Sequence, residues 1–205
     1  MSMPREVKGS RNISTDLFTL ESTNTLYKLW TGGGSDISRE VSDAYLNELL
    51  FDEHTFGTAM GHGHSGVWTY GDAFKLARAQ GVYDGIERSW KEKGDREFEA
   101  EKIVVPSLTR QLSELAEQVD VKGRRIMVYN SLPWVRSGIV TIRESSQWNQ
   151  GIAVKDIQTG ELFSLANKDN TLRFFARDIP AMGYRTYLLL KDADFANTDG
   201  LVVDE

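Results

Sequence analysis

The chain has no cysteine, only four prolines and only three histidines in 205 residues. The lack of cysteine excludes disulfides, thiolate metal sites and a cysteine nucleophile, so any metal must be held by histidine and carboxylates. It also agrees with residence in the cytoplasm. There is no apolar run of 18 or more residues, so no membrane-spanning helix is expected. The start, Met1-Ser2-Met3-Pro4-Arg5-Glu6, lacks the apolar stretch of a signal peptide, and the Asn12-Ile13-Ser14 sequon is expected to stay unmodified. No dense Lys/Arg stripe is present and the formal net charge is -6, which argues against nucleic acid as a partner.

What remains is the composition of a soluble globular chain, with 40% hydrophobic and 26% charged residues. Its patterning falls into three stretches. Residues 1–34 carry short apolar clusters without a long period and end in the glycine loop Thr31-Gly32-Gly33-Gly34-Ser35. They read as weakly structured. No Lys-Ser/Thr follows the glycines, so they do not form a phosphate-binding loop.

Residues 35–122 read as helical. Ile37, Val41, Tyr45 and Leu49 recur every four residues as one apolar stripe, with Ser35 or Asp36 as cap. A second helix is expected from Tyr70 to Lys93, with Phe74, Ala77, Ile86 and Trp90 inward and Gly71, Gly81 and Gly85 as weak points. A third carries Leu108, Leu112, Leu115 and Val119 and stops at Gly123; Pro106 either starts it or kinks a longer helix. Residues 123–205 change period. About six short strands are expected at 124–130, 138–143, 152–157, 161–165, 171–177 and 184–190, with a hairpin signal at Gln158-Thr159-Gly160. The predicted fold class is α+β, a three-helix bundle followed by an antiparallel β-sandwich-like domain.

Concentrated chemistry occurs once. His54, His62 and His64 fall within eleven residues, in Phe51-Asp52-Glu53-His54-Thr55-Phe56-Gly57 and Gly61-His62-Gly63-His64. Imidazole is the usual ligand for zinc and similar metals. On residue types alone, His62 and His64 read either as solvent-facing loop residues or as a local site with Asp52 or Glu53, a set that matches no known zinc spacing. His54 alone reads as a helix-end residue interacting with the dipole. Asp52 and Glu53 are adjacent and diverge by about 100° on a helix. That suits a solvated pair, or one that braces a ligand from outside, better than an acid and nucleophile. Trp68, Trp90 and Trp134 are read as core plugs before sugar platforms.

Three segments, in order, resemble family 38 (α-mannosidase-type) glycoside hydrolases. Leu49-Leu50-Phe51-Asp52-Glu53-His54-Thr55-Phe56-Gly57 is similar to the helix-end motif of the family's middle domain. The stretch from Met127 to Gly138, Met-Val-Tyr-Asn-Ser-Leu-Pro-Trp-Val-Arg-Ser-Gly, looks like the first β-domain strand and turn. Asp178-Ile179-Pro180-Ala181-Met182-Gly183-Tyr184-Arg185 looks like a later strand entry. The resemblance covers residues 36 to 190. It implies a retaining, zinc-dependent mannosidase in which His54 is the last metal ligand, the others coming from an N-terminal barrel together with the nucleophile. It implies a mannoside-like carbohydrate as the parent enzyme's substrate. Where the common motif has an Asp that contacts sugar hydroxyls, this chain has Thr55, whose hydroxyl cannot supply a carboxylate's two acceptors. No catalytic nucleophile or acid can be assigned within the 205 residues, so the isolated chain is expected to be inactive. A bundle face that packs on a barrel would be left apolar, which predicts self-association into a homo-oligomer. The other reading is a non-catalytic carbohydrate-binding or interaction module.

Overall fold

The computed structural model describes residues 3–53, 70–143, 151–168 and 171–191. Among them are four helices, α1 (Pro4–Thr31), α2 (Ser38–Asp52), α3 (Gly71–Ala79) and α4 (Asp84–Glu117), and seven strands. The strands are β1 (Arg125–Asn130), β2 (Arg136–Arg143), β3 (Gly151–Asp156), β4 (Leu162–Ser164), β5 (Ala166–Lys168), β6 (Thr171–Ile179) and β7 (Gly183–Lys191). The chain is therefore mixed, helices first and antiparallel strands after. It divides into two compact units, Met1–Ser113 and Glu114–Glu205. No helix of the described residues is long and apolar enough to cross a membrane.

The first expectation to fail is the weakly structured N-terminus, which is a 28-residue helix. Its inward face, Ser10, Ile13, Leu17, Leu20, Thr23 and Asn24, keeps helical spacing, but half of it is polar, so the apolar period is faint. Serine and threonine are poor helix formers because their hydroxyls compete for the backbone. Here Thr15, Thr19, Thr23, Thr25 and Thr31 each donate to the carbonyl four residues back, inside the helix. Pro4 opens the helix and Gly32, at φ 70°, closes it with its N–H on the Lys28 carbonyl. The glycine run is a loop, as the sequence implies.

α2 is rotated relative to the expected stripe. Ile37, Ala44, Glu48 and Phe51 are buried, while Tyr45, Leu46, Leu49 and Leu50 are exposed, Leu49 at 68%. The alternating three- and four-residue spacing that α2 follows is that of a helix packed on helices. Asp36 accepts hydrogen bonds from the Ser38 N–H and hydroxyl just before the first turn, so it steadies the entry without standing at the cap position. The expected helix over 70–93 breaks at 80–83, where Gly81 is left-handed at φ 77°. The second half then joins the third helix: α4 runs through Gly85, Gly94 and Pro106. Pro106 thus lies inside a longer helix. α4 buries Lys93, Glu97, Ala100, Val104, Ser107 and Gln111 at the same three-four spacing. Ile13 and Leu17 of α1, Ala44 of α2 and Ala100 and Val104 of α4 form the apolar core of this unit.

In the second unit the strands pair throughout as antiparallel neighbours, in a four-stranded sheet of order β1-β7-β3-β4 and a three-stranded sheet of order β2-β6-β5. β5 is the strand that the sequence did not announce. Val154, Phe163, Tyr187 and Leu189 of the first sheet and Phe174, Ala176 and Ile179 of the second share one core. Its centre is aromatic: the Phe174 and Tyr187 rings lie 4.8 Å apart, edge to face, with Phe163 6.0 Å from Tyr187. The expected β3–β4 hairpin forms, with Gly160 at φ 75° and the Asp156 carboxylate accepting from the Gln158 and Thr159 N–H groups.

Candidate functional site

α2 ends where the predicted metal ligand begins. Phe51 is buried, Asp52 is the last helical residue, and Glu53 leaves helical geometry at φ -54°, ψ 136°. Lys93 on α4 fixes this exit. Its side chain is 8% exposed, and its ammonium donates to the Glu53 carbonyl and lies 3.5 Å from a Glu53 carboxylate oxygen. Glu53 is thereby engaged as a tether of the helix end.

His54, Thr55, His62, His64 and Trp68 lie outside the described residues. Within the described residues no group of three or more histidines, cysteines or carboxylates could hold a metal ion. The described part of the chain therefore supplies no zinc site of its own. A structural zinc site needs about four protein ligands and a catalytic one about three.

Sequence reasoning missed a buried polar cluster in the helical unit. Glu48 and Glu97 are 4% and 3% exposed. The Ser10 hydroxyl donates to Glu48 Oε2 at 2.7 Å. Glu97 Oε1 lies against the backbone of Gly9, so close that a Cβ there would overlap it. Both carboxylates thus reach α1 at the same level. Burial pushes the Glu48 carboxyl above the usual carboxylate range; the Ser10 bond opposes this and Asp52 reinforces it. Burial likewise raises Glu97, helped by the negative charges of Glu101, Glu48 and Glu6 and opposed by Arg5. A signal for the cluster exists in the sequence. Glu48 lies four residues from Ala44 and three from Phe51, and Glu97 lies three from Ala100, but carboxylates at core spacing read as surface residues.

The two β-domain motifs meet. β1 pairs with β7, Asn130 opposite Gly183, and β2 pairs with β6, Arg136 opposite Ile179. Buried Asn130 joins them: its Nδ2 donates to the carbonyls of Trp134, Ile179 and Pro180, and its Oδ1 accepts from the Leu132 N–H. Met182 N–H donates to the Leu132 carbonyl at 2.9 Å. The shared chemistry of these motifs is a backbone staple between two turns. Trp134 is not the core plug expected of it; it is 58% exposed, beside exposed Val135. Trp90 is half-buried in a cavity of about 370 Å³ with Met3, Glu6, Asp95 and Phe98.

No family model, curated protein or solved structure matches this chain.

Proposed function

We propose that this chain is the middle and early β portion of a retaining α-mannosidase-type glycoside hydrolase, with its helices read as a bundle and its two sheets as a β-sandwich. In this reading His54 contributes one ligand to a zinc whose other ligands, with the nucleophile and acid, belong to a barrel domain. Thr55 lies beside it as a contact for a sugar hydroxyl.

The observation that carries the reading is how the motif segments are built into the fold. Two of the three interlock through Asn130, and the third ends on a helix terminus that Lys93 tethers one residue before His54. A ligand presented to another domain needs such a fixed base. The exposed Leu46, Leu49 and Leu50 on the outer side of α2 support a surface covered by a partner domain. In this reading the chain's own contribution is to present His54 and Thr55.

The test is the zinc content and mannoside hydrolysis of the full-length enzyme with and without His54→Ala. Loss of bound zinc with loss of turnover is expected; unchanged metal content and activity removes His54 from the site. The 205-residue chain by itself, given zinc and aryl mannosides, is expected to show no turnover. The exposed Trp134 with Val135 favours a second reading, a non-catalytic carbohydrate-binding module, for which sugar affinity lost in Trp134→Ala would be the evidence.

A further inference from the structure

We propose that the helical unit is closed by a proton: at least one of Glu48 and Glu97 stays protonated in the folded seam, and its ionisation as pH rises loosens the packing of α1, α2 and α4. The inference stands apart from the reading of the chain as a glycosidase segment.

An ionised carboxylate only accepts, whereas a protonated one carries an O–H donor. Glu48 Oε1 and Glu97 Oε2 are buried and have no hydrogen-bond partner among the described residues. The Ser10 hydroxyl serves the other oxygen of Glu48. Two carboxylate charges here would be desolvated with too few donors, a state that costs far more than the neutral acid.

The charged groups around the pair do not repair this. From α1 come Glu6 and Arg5, and the Arg5 guanidinium sits over the Phe98 ring, 5.3 Å from its centre. From α2 comes Asp52, which adds negative charge beside Glu48. From α4 come Glu101, again negative, and Lys93, whose ammonium is directed at Glu53. Among the described residues the charges that act on the pair are therefore predominantly negative. The backbone has also made room: at Gly9 the absence of a side chain lets Glu97 Oε1 approach the backbone of α1.

The sign follows from linkage. Both carboxyls are harder to ionise folded than unfolded, so the folded state binds more protons than the unfolded state. Stability is then full below the ordinary carboxylate range and falls as pH rises through the folded values. Ion-paired carboxylates give the opposite slope.

The experiment follows the helical melting of the whole chain by circular dichroism from about pH 5 to about pH 8. The midpoint of the wild type is expected to fall as pH rises. Glu97→Gln keeps the shape and supplies a permanent donor; it is expected to raise the midpoint at the alkaline end by about 4–8 °C and to flatten the slope. Glu48→Gln does the same to a smaller degree, since Ser10 already serves one oxygen. A midpoint that rises with pH in the wild type, or a slope unchanged in both variants, overturns the proposal. If an amide variant fails to fold, the infrared carbonyl band of a protonated carboxylic acid in the wild type at neutral pH decides it: its presence supports the proton, its absence disproves it.

Discussion

The helical unit, Met1–Ser113, and the sheet unit, Glu114–Glu205, fill their interiors with different chemistry. Along the inward faces of α1, α2 and α4 the apolar residues Ile13, Leu17, Ala44, Ala100 and Val104 occupy the middle. Polar ones, Ser10, Glu48 and Glu97 toward one end and Thr23, Asn24, Ser107 and Gln111 elsewhere, share the same seams. The sheet core is instead a cluster of Phe163, Phe174 and Tyr187 with aliphatic neighbours, and two of its buried polar residues, Asn130 and Asp156, sit at turns and bond the backbone. Polar groups in a helical seam specify register at a cost in stability; aromatic packing gives stability directly. The first unit is therefore the one whose folding is expected to weaken as pH rises.

Substitutions break or sharpen this contrast. Phe174→Ala opens the aromatic centre of the sheet unit and should cost about 3–5 kcal/mol in urea unfolding; a cost under about 1 kcal/mol would mean that this core is not tightly packed. Gly9→Ala forces Glu97 out of its place against α1. It should cost about 1–3 kcal/mol by overpacking, although alanine is ordinarily the better helix former; a gain in stability would show that the seam has slack. Asn130→Ala strands carbonyls at both turns and should cost about 1–3 kcal/mol, read as weakened protection from hydrogen exchange at Leu132 and Met182. The smallest effect is expected at Tyr187, whose buried hydroxyl has no hydrogen-bond partner among the described residues and whose ionisation burial has pushed up to about 12. Tyr187→Phe should change stability by less than about 1 kcal/mol, in either direction; a larger loss would reveal a partner for the hydroxyl. At the other extreme of exposure, Leu49→Glu should reduce concentration-dependent light scattering if the outer side of α2 drives self-association.

β6 is the strand most legible in the sequence because it alternates: Leu172, Phe174 and Ala176 are buried between exposed Arg173, Phe175 and Arg177. α1 is not legible, since its hydroxyl-rich sequence argues locally against a helix that packing stabilises. α2 is legible as a helix but not in its phase. Its leucines, Leu46, Leu49 and Leu50, face outward and a glutamate faces in, so the apolar pattern points to the wrong side. The same inversion hides Glu48 and Glu97. Lys93 as the tether of Glu53 has no local signature, because the bond joins residues forty positions apart.

β6 contains one residue more than its pairing with β2 requires. Between the pairs Gly138–Ala176 and Arg136–Ile179, Ser137 faces both Arg177 and Asp178. Asp178 takes the left-handed conformation, φ 49°, and its N–H donates to the Ser137 hydroxyl at 2.9 Å. Removing Asp178 would leave Leu172, Phe174, Ala176 and the isoleucine in unbroken alternation, so the strand would lose a residue without turning any side chain to the wrong face. The β2–β6 pairing thus carries a built-in length allowance. A chain one residue shorter here could form the same core and would shed the strain of a non-glycine residue in that conformation. It would forgo the Ser137 bond and the one that the Arg185 guanidinium donates to the Asp178 carbonyl.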